Sequence, residues 1–241
     1  MVKYTTVKLP EAQAKIVRTL YENGVIDDKL LNAIARVGAT PEDNGSYKNQ
    51  KQWIEWFNKN NLPMASANDI LMAGQVGSEE LLQSLRGDFD PRWLISSTHN
   101  SYNPDDLSAV VSHYHGQKNQ KTLKLIIVPD YSDGVLIKKV AANKQGQAYI
   151  LAEFDMEDGK INNVIDGLER LFGKGAEDIR VWTPNQKSRK VYGERAVSLD
   201  YDVGGFRVVG NYYFDGDSVG GLARRVFLKE NVGEADTTQK K

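Results

Sequence analysis

Residues 161–172 read Ile161-Asn162-Asn163-Val164-Ile165-Asp166-Gly167-Leu168-Glu169-Arg170-Leu171-Phe172, and the way this stretch ends decides the fold class. Its apolar members, Ile161, Val164, Ile165, Leu168, Leu171 and Phe172, recur at the i, i+3, i+4, i+7 spacing that lays one stripe along a helix. Gly167 inside it costs about 1 kcal/mol relative to alanine, so tertiary packing has to hold the helix there. After Gly173 the helical period vanishes. Ile179–Trp182, Ala196–Tyr201, Phe206–Val209, Tyr212–Phe214 and Leu222–Leu228 are short β-prone runs separated by Gly, Asp and Asn, the pattern of strands between turns. A helix followed by short strands, with further helices upstream, predicts the α+β class.

Upstream of that helix, residues 133–154 predict a further helix with Ile150, Leu151 and Phe154 buried, and Leu123–Val128 a strand stopped by Pro129. Lys118-Asn119-Gln120-Lys121 is a polar break and is taken as a boundary between residues 1–117 and 118–230. Before it, Trp93–Thr98 and Leu107–His113 read as two strands joined across the turn-rich Asn103-Pro104-Asp105-Asp106. The first ninety or so residues read as helical. Pro10 opens a helix carrying Ile16, Val17, Leu20 and Tyr21, ended by Gly24. Asp27 caps a second with Leu30, Leu31 and Ile34, closed by Gly38. Ser46 is the expected cap of a third, around Trp53, Ile54, Trp56 and Phe57. Ser78 with Glu79 and Glu80 starts a fourth, with Leu81, Leu82 and Leu85 inside and Gly87 as its stop. The polar tail, 231–241, reads as disordered.

Composition narrows the function classes. Apolar residues at 40% and charged residues at 26% are ordinary for a globular chain of 241 residues. The net charge of −1 gives no bulk attraction to nucleic acid or to an anionic membrane. No apolar run approaches the roughly 18 residues of a membrane span, and Met1–Pro10 lacks a secretory h-region. The chain has no cysteine, which rules out disulfides and thiolate metal sites. The compartment stays open.

The segment from Tyr192 to Phe227 holds seven of the 22 aromatics and seven of the 21 glycines. Tyrosine among Gly, Asn, Ser and Asp is the composition of antibody-type binding surfaces, where rigid amphipathic rings combine with adaptable hydrogen bonding. A Gly-rich antiparallel sheet with cross-strand aromatics is the plainer account of the same residues.

The order of helix 161–172, Ile179-Arg180-Val181-Trp182-Thr183-Pro184, Arg195-Ala196-Val197-Ser198-Leu199, Gly205-Phe206-Arg207-Val208-Val209 and Ala223-Arg224-Arg225-Val226 resembles the C-terminal half of C-type-lectin-like domains. The branch meant is that of formylglycine-generating-type proteins. The likeness covers roughly residues 120–230; the Gly-Gly-Ser-Trp element of that branch is missing. Within that superfamily the chain is most similar to the variable proteins of diversity-generating retroelements, in which adenines, chiefly those of Asn codons, are replaced. Such codons do not become Lys, Glu, Gln, Met or Trp. None of these five occurs from Arg195 to Leu228, although they make up 52 of the 241 residues, so about seven would be expected there from composition. The resemblance implies a variable region near 182–226 that displays Asn185, Ser188, Tyr192, Tyr201, Asp202, Arg207, Asn211, Tyr212, Tyr213, Asp215, Asp217 and Ser218. By alternation, Leu199, Phe206, Val208, Leu222 and Val226 would face inward.

Competing chemistry is sparse. His99, His113 and His115 are the only histidines, and His-x-His on a strand points both rings to one face, as a metal-assisted hydrolase would need. A surface strand with incidental histidines explains them more simply. Lys187, Arg189, Lys190 and Arg195 beside Trp182 and Tyr192 form a basic segment that could touch nucleic acid, or a solvated loop. Asp215-x-Asp217 fits a hairpin turn as well as a calcium site, which needs six or more oxygens. The reading is therefore a binding protein and not an enzyme, with no cofactor. Its partner would be a protein or surface ligand, and its N-terminal region would serve attachment or oligomerisation.

Overall fold

The computed structural model describes residues 37–38, 40–77, 79–89, 93–114, 121–185, 193–202, 205–213 and 220–226. The two helices expected before Gly38 and the tail after 231 lie outside the described residues. Within them the chain is α+β: helices α1 (Gln50–Lys59), α2 (Ala67–Val76), α3 (Glu79–Phe89), α4 (Ile137–Ala141), α5 (Lys144–Glu153) and α6 (Ile161–Phe172), and strands β1 (Trp93–Asn103), β2 (Ser108–Tyr114), β3 (Lys121–Ile127), β4 (Val135–Leu136), β5 (Ile179–Trp182), β6 (Glu194–Asp202) and β7 (Gly205–Tyr213). The strands form one mixed sheet in the order β3-β2-β1-β6-β7-β5-β4, in which only β5 and β7 run parallel.

That order removes the expected boundary at residue 118. β2 and β3, which flank it, pair from Ser108↔Ile127 to Tyr114↔Lys121. β1 lies between β2 and β6, joined to β6 from Trp93↔Asp200 to Ser101↔Glu194. One apolar cluster runs from Val37 through Leu82, Leu94, Ile150, Leu168 and Val197 to Val226. Residues on both sides of 118 therefore share a sheet and a core.

Each helix has a local cause. The α1 N-cap is Asn49, in a capping box with Gln52, and not Ser46, whose hydroxyl donates to Asp43 in the preceding turn. Ser66 and Asp69 make the same box at the head of α2, a helix that the hydrophobic pattern does not reveal because most of it is buried all round. Gly87 does not stop α3, which continues to Phe89; nothing crowds that glycine. α6 ends at Gly173 in the left-handed conformation, as expected. Gly167 sits where α2 and α6 cross. A Cβ there would lie 2.7 Å from Gln75 Cγ and 2.8 Å from Leu71 Cδ1, and one on Gly74 would lie 2.6 Å from the Gly167 carbonyl. Close backbone approach is what repays the helix for its glycine.

The sheet has two covered faces. Leu94, Tyr102, Ala109, Val111, Val181, Val197, Leu199 and Val208 meet the large helical cluster. On the other face Ile95 and Ala196 meet Trp53 and Phe57 of α1 and Ala223. Gln50 of α1 donates to the Ser96 and Thr98 carbonyls, both at 2.6 Å. These are the carbonyls freed where the β1–β6 register slips between Ile95 and His99. Of the strand expected over 222–228, only 222–226 lie among the described residues, and there the closing segment makes isolated bridges: Gly221 to Lys48, Leu222 to Leu94, Arg225 to Met64 and Val226 to Val37.

Candidate functional site

The hairpin β6–β7, with β5 beside it, carries most of the expected display residues, and its topology sorts them. β5 and β7 run parallel and β6 runs against them, so the ends of β5 and β7 and the start of β6 lie together. Asn185, exposed, leaves that end of the sheet. Tyr212 and Tyr213 hold register positions opposite Ala196 and Arg195 there. Ser188 and Tyr192 belong to the connection from Asn185 to Gly193. Asp215, Asp217 and Ser218 follow Tyr213, and all five lie outside the described residues. Asn211 sits within β7 just before the tyrosines.

Tyr201 and Asp202 are elsewhere. They occupy the opposite end of the hairpin, where Tyr201 pairs with Phe206 and Asp202 with Gly205, about 20 Å away at a strand's rise per residue. Tyr201 also shares a face with Leu199, two residues before it, contrary to the expected alternation. It is 41% exposed, and its ring covers Phe206 at 4.9 Å, which in turn packs on Phe172 at 4.7 Å. Tyr201 is the rim of the helical core. Leu199, Val208, Leu222 and Val226 are buried as expected, and Phe206 is partly buried against the same core.

A bulge shapes the loop-bearing end. Ala196 and Ser198, two apart on β6, face Tyr212 and Val209, three apart on β7, so β7 carries one extra residue. Without it, position 212 would share the helical face with Val208; with it, position 212 shares the register of Ala196 on the other face. Tyr102 fixes the bulge, its hydroxyl donating to the Gly210 carbonyl over 2.7 Å. Behind Tyr102, Asn100 donates to Glu153 at 2.6 Å, and the Tyr149 hydroxyl lies 3.5 Å from that of Tyr102. All four side chains are buried. Burial raises the Glu153 carboxyl to about 7, against the lowering effect of hydrogen bonds from Tyr149 and Asn100. Desolvation, and then the nearby Glu153 charge, push the Tyr149 hydroxyl well above its usual range.

Arg207 is the third residue of β7, one on from Phe206, on the face opposite the helices. Its Nη2 donates to Asp200 Oδ2 at 2.9 Å, and its guanidinium lies 5.4 Å from the centre of the Trp182 ring. Trp182 is itself seated on Gly134, where φ is +77° and a Cβ would overlap the indole. Asp200 is buried and pairs in register with Trp93. A guanidinium bonded to a carboxylate and set beside an indole is a preorganised anchor for planar anions, carbonyls or rings. Sequence reasoning picked out Arg207 but missed Asp200 and Trp182. Alternation of Ile179 and Val181 with Arg180 and Trp182 does mark the outward side of β5, yet the cross-strand register needed to join them to Arg207 is non-local.

Set against known protein families, curated proteins and solved structures, the chain matches none. The site must be judged on its own geometry.

That geometry separates the histidines. His99 pairs with Ser112 on the outer face, stacks on Tyr114 at 5.6 Å, and has Nε2 3.4 Å from Glu194 Oε2. His113, one residue on from Ser112, faces the helices, with its ring nitrogens 2.9 Å from Thr98 Oγ1 and 2.9 Å from the Ala152 carbonyl. Both are buried, so the strand is not the exposed one expected. His115 lies outside the described residues. Among the described residues no three His, Asp or Glu side chains are grouped to hold a metal. Arg195 is 3% exposed, so it does not join a solvent-facing basic patch; Lys187, Arg189 and Lys190 are not described.

Proposed function

We propose that the chain is a recognition protein whose binding surface is the loop-bearing end of β5, β6 and β7. The scaffold is read as C-type-lectin-like and the surface as the hypervariable region of a diversity-generating retroelement. The observation that carries this reading is the division of residues 195–226. Val197, Leu199, Val208, Leu222, Ala223 and Arg224 are buried and bonded into the core. The Tyr-, Asn-, Asp- and Ser-rich stretches between them follow the open ends of strands. A diversified protein needs both parts in one short segment. The absence of Lys, Glu, Gln, Met and Trp from Arg195 to Leu228 accords with the same reading.

Two details refine the surface. Tyr201 and Asp202 are at the far end and are dropped from the binding patch, and Trp182, the last residue of β5, forms its fixed edge, with Arg207 packed behind it toward the far end. Interfaces of this kind draw most of their affinity from a few aromatic and Arg anchors. No helix among the described residues is long and apolar enough to cross a membrane. The hydrolase alternative finds no support in His99 and His113, which point to opposite faces of the sheet.

The test is the neighbouring DNA. A near-copy of codons 182–226 beside a reverse transcriptase gene, differing at adenines and concentrated in codons 185–192 and 211–219, is the expected finding. A neighbourhood without such a copy, or differences falling on codons 197, 199, 208 and 222–224, would contradict the proposal.

A further inference from the structure

β3 ends the seven-strand sheet, so one of its edges meets no other strand of that sheet. Such an edge presents unpaired N–H and C=O groups, and proteins ordinarily protect it with charge, proline or a covering element. On the helical face β3 is committed. Lys124 reaches the Met156 carbonyl at 3.0 Å and Asp155 at 3.3 Å, and Ile126 packs on the core. On the other face Leu123, Leu125 and Ile127 are 55%, 73% and 53% exposed. Three large apolar side chains in one row leave on the order of 300 Å² of apolar surface, a patch size that usually marks an interaction site.

We propose that this strand pairs with β3 of a second copy of the chain, antiparallel about a two-fold axis at Leu125. The strand is self-complementary in that register. Leu125 meets its own copy, Leu123 meets Ile127 of the second copy, and two rows of three become one row of six. The cation nearest the axis, Lys124, is turned to the helical face and bound to Asp155. With the axis at Leu125, residues 123–127 of the two strands pair, and the six apolar side chains brought together bury on the order of 800 Å², the size of a weak or transient interface. The dimer does not depend on what the loop-bearing end binds.

Sedimentation velocity of the full chain at concentrations on the order of 10 μM tests it. The expected species is a dimer. Leu125→Lys places two ammonium groups at the axis and should give a folded monomer, since that side chain is exposed, with a melting temperature below that of the wild type only by what the dimer contact adds. The chain has no cysteine, so Leu125→Cys supplies a single thiol at the axis. Directly opposed residues on antiparallel strands bring Cβ atoms to about 5 Å, and this variant should form an intermolecular disulfide with oxidised glutathione. Leu123→Cys alone should not, whereas Leu123→Cys combined with Ile127→Cys should. A monomeric wild type, or a Leu125→Lys variant that remains dimeric, overturns the proposal. So does a monomer in which the Leu125→Cys thiol resists alkylation, which would assign the row to another segment of the same chain.

Discussion

Arg224 is wholly buried and donates through Nε to Asp88 over 2.6 Å, tying the closing segment to α3. Its other donors reach the Gly38 carbonyl at 2.8 Å and the Ser84 carbonyl at 2.8 Å. Removing one partner of a buried pair strands the other charge, at a cost of about 3–5 kcal/mol. Arg224→Met should lower stability to urea by that amount. Arg224→Met with Asp88→Asn should cost less than the sum of the two single changes, because the second removes the stranded charge. Additive losses would contradict a coupled buried pair.

Glu153 sets a pH dependence. Its folded-state carboxyl titrates at about 7 against a usual value of 4.5. A group raised on folding contributes stability that is fully present below the unfolded value and is lost as pH rises through the folded one. Stability should therefore fall between about pH 5 and pH 8, by on the order of 3 kcal/mol. Asp43, Glu79, Asp106 and Glu177 are lowered by exposed hydrogen bonds, so their effect has the opposite sign and lies at more acid pH. Glu153→Gln should flatten the slope in urea melts above pH 5. A slope that survives this change would assign the titration to another group.

Gly167→Ala separates helix propensity from packing. In an isolated helix alanine gains about 1 kcal/mol over glycine. Here the added methyl meets Leu71 and Gln75 on α2, and overpacking costs about 1–3 kcal/mol. Thermal melts should show a net loss of stability. A gain would mean that the two helices separate without cost.

The sequence made some of this legible and hid the rest for definite reasons. α6 and β5 are where the pattern placed them, because one amphipathic stripe and one alternating run are local properties. α2 escaped the hydrophobic pattern, although Ser66 and Asp69 spell its capping box. The boundary at 118 failed because β1 pairs with β6 across about a hundred residues of chain, and no local period records that. Polar β1 is buried on both faces, with Gln50, His113, Glu153 and the Val197 carbonyl as partners for its polar groups. At the candidate site Arg207 was visible as a residue type. Its setting between Asp200 and Trp182 depends on register, and so does the separation of Tyr201 from the tyrosines at the other end.

Phe206 and Tyr201 form a graded pair at that rim. Phe206→Ala should cost about 2–4 kcal/mol, below a fully buried aromatic because the site is only partly enclosed. Tyr201→Ala removes one aromatic contact and should cost about 1 kcal/mol. Neither change should alter binding of any partner selected on the loop-bearing end. Loss of binding in Tyr201→Ala with the fold intact would return that residue to the binding surface.

The separation of scaffold from display surface is tested most directly by a saturation scan of residues 182–226, with cell-surface display and protease resistance as the readout. The account predicts that positions 185–192 and 211–219 accept most residues without loss of resistance. Positions 197, 199, 208, 222, 223 and 224, all buried, should accept few. Uniform intolerance across 211–219, at the level of Leu199 and Val208, would make that stretch ordinary core and contradict the recognition reading.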